Sequence, residues 1–404
     1  MKLIEEKFLK LGCDNAPGQE LRQEGSNIEF IGEELTGIPV DFSHGDVNKT
    51  SFEPTPGALE AFVEGVHRGG EVAYTEYRGS GEIREDIAKK LANFTGAPIS
   101  ADQEIIITPG TQAALFLAMG ATVSRGDKVA IVEPDYFANR KLVEFFDGEI
   151  VPIQMNYLAS TKDSGLDMTQ LEDAFKAGVR LFLFSNPNNP VGVIYSDEEI
   201  RKIAELAKKY DATVIVDQLY SRLLYDSRSY THLRALDMHP ENILTIMGPS
   251  KTESLSGYRL GVAFGSKVII DRMEKLQAIV SLRAPGYCQS VLKTWFAEPE
   301  GWMEKRILEH QAIRDDLLVR FRAVEGVQIR TTEAGSYIFP RIPKLSIPTL
   351  DFVKILRLQA GVIVTPGTEF APDRTDSFRL NFSQNHEAAI AAINRIAELI
   401  GRYR

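Results

Sequence analysis

The chain is predicted to be an α/β protein: a mainly parallel, doubly wound sheet with a smaller α+β domain assembled from its two ends. Three observations predict this. Between about residues 85 and 265, short and uniformly apolar runs alternate with amphipathic helical stretches, the pattern of strands buried on both faces. After about residue 268 that alternation gives way to longer helical stretches. The length, 404 residues, exceeds what one core usually supports.

The elements follow in order. Leu3, Ile4, Phe8 and Leu11 share one face of a short N-terminal helix, suited to packing on the body of the protein or on a partner subunit. Residues 27–40 do not join the alternation, so 1–50 is expected to be an N-terminal arm and part of the small domain. Residues 51–285 are then the large domain and 286–404 the rest of the small one. Helices are predicted over 83–93, 112–123 and 197–210. The strands are EIIIT (104–108), KVAIVE (128–133), EIVPIQ (149–154), RLFLFS (180–185), ATVIVD (212–217), ILTIMG (243–248) and LGVAFG (260–265). Helical stretches at 267–281, 290–296 and 302–324 lead to GVQIRTTEAGSYIFPRI, a helix at 350–360, VIVTPG, SFRLNFS and a last helix at 386–403. In such a sheet the ligand lies beyond the carboxyl ends of the strands.

Composition excludes several classes. A net charge of −10 argues against nucleic acid and anionic membranes as partners. Cys13 and Cys288 are far apart and lack metal-ligand spacing, as expected of free thiols in the cytoplasm. The N-terminus lacks the apolar segment of a secretory signal, and no run reaches membrane-spanning length,.

Candidate ligand contacts sit at the strand ends. Gly110, Thr111 and Gln112 follow EIII and open a helix, so their amides suit a phosphate; a plain capped turn is the alternative. Tyr136 follows KVAIVE, either to stack on a planar ring or to fill the core. In SNPNNPVG (185–192) two Asn-Pro pairs stop the strand,; Asn189 either belongs to a plain loop or bonds the phenolic oxygen of a cofactor. Asp217 ends ATVIVD, with Tyr220 three residues on. A carboxylate there either caps a helix or pairs with a buried cation such as a pyridinium nitrogen.

The run GPSKTESLSGYR (248–259) then sets Lys251, after Ser250, eight residues before Arg259. A lysine amine forms a Schiff base with an aldehyde, and an arginine fork suits a phosphate. One ligand carries both groups: pyridoxal 5′-phosphate.

With its strand-Gly-Thr, strand-x-Tyr, NPNNPxG, D-x-x-Y and SK-x7-R motifs in this order, the chain resembles the fold-type I pyridoxal-phosphate enzymes. Within them it resembles the class I/II aminotransferases, from about Val40 onward. The resemblance implies a homodimer with shared sites, Tyr74 reaching the neighbour's phosphate. It also implies that Arg379 binds the substrate α-carboxylate and that Gly45 leaves room for the substrate backbone.

The chain departs from the family pattern at Gly248, where a hydroxyl residue is common, at Val191 and at His44. His44 could read a substrate side chain, move protons or be structural. Arg283 would suit a distal carboxylate; His44, Asp46 and Glu76 would suit a polar or basic side chain. The expected reaction is ping-pong transfer of an L-amino acid's amino group to a 2-oxo acid, with Lys251 shuttling the proton. The same scaffold also supports decarboxylation, β-elimination, cyclisation, racemisation and O2-dependent oxidation; a non-enzymatic effector sensor is the remaining alternative.

Overall fold

A computed structural model describes residues 2–13, 16–22, 28–45 and 51–404. Its centre is a seven-stranded sheet in the order Ile105–Thr108, Gly261–Gly265, Ile243–Met247, Thr213–Asp217, Leu181–Ser185, Lys128–Glu133 and Glu149–Gln154. Six strands are parallel. Gly261–Gly265, second from one edge, runs antiparallel to both neighbours. The mainly parallel, doubly wound α/β architecture is therefore present. Pro152 sits in the edge strand, where a missing N–H is tolerated.

Side chains alternate across the sheet. Ile106, Ile215 and Ile246 pack with Ala118 of helix Thr111–Thr122 and Met273 of helix Lys267–Val280. Phe182, Phe184 and Val214 face the other way, toward Phe175 of helix Met168–Lys176 and Ile203 of helix Asp197–Tyr210. Each such fully buried side chain contributes roughly 1.5–3 kcal/mol. The last helix begins at a capping box, in which Ser196 and Glu199 satisfy each other's backbone N–H,.

A second core joins the two ends of the chain. Val40, Phe42 and Phe52 pack with Leu317, Phe352 and Ile393, and Val40–Asp41 pairs in parallel with Val362–Ile363. Beside them, Thr365–Pro366, Phe378–Asn381 and Tyr337–Ile338 form a small antiparallel sheet.

The helical stretch at 290–296 is instead a 3-10 turn, Ser290–Thr294, following a short helix Gly286–Gln289. The chain turns extended at Trp295, whose ring is buried beside Ile105 and Val262. Helices Ala58–Arg68, Phe137–Phe145 and Met168–Lys176 were not expected from the sequence. Among the described residues no helix is long and apolar enough to cross a membrane, and no cluster suits a metal ion.

Candidate active site

Parallel strands bring their carboxyl ends to one edge, and register sets what stands beside what. Ser185 is paired with Asp217, and Asp217 with Ile246. Because Gly261–Gly265 runs the other way, its start lies at that same edge. Arg259, just before it, therefore joins Lys251, just after the neighbouring strand. A cavity of about 360 Å³ opens there. It is lined by Thr111, Gln112, Tyr136, Asn189, Asp217, Tyr220, Ser250, Lys251, Arg259, Arg379 and His44, eleven of the residues singled out above.

Gly110 lies behind this lining. Its φ is +88°, and a Cβ there would sit 2.3 Å from Arg259 Nη2, so the absence of a side chain lets the guanidinium lie against the helix start. No side chain caps that helix; Thr108 Oγ1 donates to the Gly110 carbonyl instead, at 3.0 Å. The first amides of a helix have no intrahelical partner, which leaves them for an anion. Gly248 has a similar cause. A Cβ there would fall 2.8 Å from Thr111 Cγ2, so a hydroxyl side chain has no room.

Asp217 does not cap a helix, since a turn follows it. Its Oδ1 accepts from the Leu219 N–H at 3.0 Å, and burial pushes its pKa up to about 6. A cation placed against it would restore full ionisation. Tyr136 donates its hydroxyl proton to Gln112 Oε1 at 2.8 Å, which fixes the ring at the cavity wall. Arg379 is 2% exposed. It donates to Asn189 Oδ1 at 3.0 Å and to the Ser43 carbonyl at 3.1 Å, leaving the Asn189 NH2 free to donate. Arg379 Nε is buried without a partner among the described residues.

Two expected residues lie apart from this cavity. Gly45 borders a smaller adjoining hollow with Lys251, His310 and Ser383. Tyr74 is 82% exposed, with the Arg283 guanidinium 5.2 Å from its ring centre. Arg283 itself donates to the Thr75 carbonyl and does not line the cavity. Glu76 is engaged by Arg84 at 2.5 Å, and Asp46 lies outside the described residues.

The sequence reading missed several groups. Tyr337 lines the cavity, its hydroxyl 2.7 Å from that of Tyr220 and its ring 4.2 Å from the Arg379 guanidinium. Asp135 is buried and accepts from the Ser185 N–H at 2.9 Å and from the Ser185 hydroxyl. The Ser185 hydroxyl in turn accepts from the Asn189 N–H at 3.0 Å. Pro17 and Gly18 also line the cavity. Their segment is held by Glu20, which accepts from Thr365 Oγ1 at 2.8 Å and from the Gly18 N–H at 2.7 Å. A Pro-Gly turn signal was the sole hint of this segment in the sequence.

A lysine, a buried aspartate and an arginine at the carboxyl edge of such a sheet, with a second arginine reaching in from the small sheet, match a fold-type I pyridoxal-phosphate enzyme. The profile of the family "Aminotransferase class I and II" matches residues 38–396, and the chain belongs to that family. An aspartate aminotransferase from Sulfolobus acidocaldarius is 28% identical over 339 residues, 83% of this chain and 84% of that protein. The aspartate/prephenate aminotransferase of Thermus thermophilus is 25% identical over 96% of this chain and 95% of its own. The crystal structure of an aspartate aminotransferase from Rhodobacter sphaeroides 2.4.1 superposes with a TM-score of 0.95 at 64% identity, covering 99% of this chain and 100% of that one. The protein is thus a pyridoxal-phosphate-dependent aminotransferase, acting on small amino and oxo acids.

Proposed function

We propose that the cavity at the carboxyl edge of the sheet binds pyridoxal 5′-phosphate through the residues facing it, and that the amino donor is aspartate or a close dicarboxylic relative. The donor class is suggested by what the relatives are named for. The observation carrying the site assignment is the convergence of Lys251, Asp217, Arg259 and Arg379 on one cavity.

The residues present fit the cofactor. Arg259, Ser250 and the amides after Gly110 would hold the phosphate. Asn189 and Tyr220 would face the phenolic oxygen, Asp217 the ring nitrogen and Tyr136 a ring face. When bound, the cofactor supplies an electron sink for a substrate's Cα–H bond. Lys251 is the residue that would hold it covalently, and its amine, when neutral, would accept the Cα proton and, as an ammonium, give it back. Arg379 grips the α-carboxylate and so sets which Cα bond faces the ring. Pro17 and Gly18 help exclude water from above. The two half-reactions run in turn through the same groups, a ping-pong cycle between an L-amino acid and a 2-oxo acid.

The same proposal includes a homodimer. Exposed Leu59, Val63, Tyr74, Ile279 and Leu282 suit a second copy, across which Tyr74 would reach the neighbouring phosphate. It also includes a division of the chain into 1–50, 51–285 and 286–404, and a cytoplasmic location, in keeping with two free thiols. Replacing Lys251 by Ala tests the assignment: the visible absorbance of the covalently held cofactor and all turnover should vanish. Normal turnover in that variant ends it.

A further inference from the structure

We infer that His44, oriented by Asp41, is the residue of this chain that receives the distal carboxylate of a dicarboxylic substrate. This rests on the amino-transfer reading above and names a specificity residue for it.

The argument begins with charge. Among the described residues, the cavity is lined by Lys251, Arg259, Arg379 and His44 against one carboxylate, Asp217. Asp217, Lys251 and Arg259 are taken by the cofactor, and Arg379 by the α-carboxylate. His44 is the basic group left over, and a second substrate carboxylate is the charge its protonated ring would match.

The geometry prepares it for that task. His44 Nδ1 lies 3.3 Å from Asp41 Oδ2 and 3.3 Å from Ser43 Oγ. Asp41 is itself fixed by the Ser43 N–H at 2.8 Å, and the His44 carbonyl accepts from Gln384 Nε2 at 2.6 Å. The ring is thus held at Nδ1, and among the described residues its Nε2 has no hydrogen-bond partner, on a side chain that is 66% exposed. Doubly protonated, it offers Nε2–H for a charge-assisted hydrogen bond. Neutral, with Nδ1–H on Asp41, it presents a lone pair at Nε2 that repels a carboxylate.

Among the described residues, Asp41, Glu20, Lys251 and His310 are the charged or titratable groups around the ring. The hydrogen bond to Asp41 favours the cation, burial and Lys251 oppose it and Glu20 favours it, with Asp41 prevailing, so the His44 pKa is raised. His310, across the adjoining hollow, is neutral because burial drives its pKa down to about 3. Preference for dicarboxylic substrates should therefore be strong in mild acid and fade in alkali. Arg283, if the proposed dimer were to carry it to the neighbouring cavity, would be the competing source of positive charge.

The test uses the holoenzyme. Single half-reactions with L-aspartate and L-alanine are followed by cofactor absorbance from pH 6 to 9, and succinate and propionate binding is measured by calorimetry. For the wild type, the aspartate-to-alanine ratio of apparent affinities should fall about tenfold across that range. His44→Asn should lower the ratio about tenfold at pH 6 and remove its pH dependence. His44→Lys should keep the ratio high to pH 9. The succinate-to-propionate ratio should follow the same pattern. An unchanged ratio in His44→Asn, or its loss in Arg283→Ala alone, overturns the assignment. If no amino acid reacts, the amino-transfer reading fails separately, while the two acids still report on His44.

Discussion

The hydroxyls of Tyr220 and Tyr337 lie 2.7 Å apart in the cavity wall, although 117 residues separate them in the chain. One proton must lie between the two oxygens. Tyr220 donates it, so the Tyr220 oxygen keeps its lone pairs for the cavity and Tyr337 is the acceptor. Tyr337 also packs its ring against the Arg379 guanidinium, so it touches both Tyr220 and Arg379. The nearby Arg379 and Lys251 charges and the Tyr220 hydrogen bond outweigh burial and lower its pKa. Tyr337→Phe should lose about 1 kcal/mol, roughly fivefold in kcat/KM. It should also shift the pH midpoint of the holoenzyme's visible absorbance. An unmoved midpoint would show that Tyr220 does not depend on this bond.

Arg379 stands on the small antiparallel sheet and reaches across to Asn189. Arg379→Ala removes the carboxylate fork and also leaves Asn189 Oδ1 without its donor. Amino-acid affinity should weaken by about 2 kcal/mol or more, at least thirtyfold. Titration of the holoenzyme with amino acid checks this, and an unchanged apparent Kd rejects the role.

Gly110→Ala should disturb cofactor capture without touching the lysine. The added methyl would meet Arg259 Nη2, and the backbone would be held at a positive φ, a strain of roughly 1–3 kcal/mol. Apoenzyme reconstitution should need at least tenfold more cofactor. Wild-type reconstitution would mean that Arg259 can retreat at no cost.

His310 gives a stability prediction with a definite sign. Its ring stacks on Phe52 at 4.0 Å, bonds the Arg306 carbonyl at 2.8 Å and meets Ser383 Oγ at 2.9 Å. Burial lowers its pKa from 6.5 to about 3. The unfolded chain therefore binds a proton first as pH falls. The stability this group contributes is complete above pH 6.5 and is lost progressively toward pH 3. About 2 kcal/mol should be gone at pH 5. His310→Gln should flatten the fall in Tm between pH 7 and 5; an equally steep fall would assign acid sensitivity elsewhere.

The parallel sheet was legible because its strands are uniformly apolar runs, and the strand-end motifs were legible because each is local. Lys251, Asp217, Asn189 and Arg259 each announce themselves within a few residues of a strand. Arg379, Gly45 and Tyr74 were reached through family resemblance alone, since nothing near them marks a binding role. Tyr337 and Pro17 were invisible for a further reason. They enter the cavity through long-range packing, on a short sheet and a chain terminus whose approach no local pattern encodes. Helix Phe137–Phe145 was missed because only Ala138, Asn139 and Val143 of its nine residues are buried, too few for a clear periodic face. The 3-10 turn at Ser290–Thr294 was misread because apolar spacing does not distinguish it from one turn of α-helix.

The reversed strand Gly261–Gly265 puts Lys251 and Arg259, the proposed anchor and phosphate clamp, in one connection between two antiparallel strands. The gap between them is set by the seven consecutive residues 252–258, not by how distant parts of the molecule happen to meet. Rebuilding the C-terminal half to accept a new amino donor would leave that ruler intact. Inserting a single residue between Thr252 and Tyr258 would throw it out of gauge.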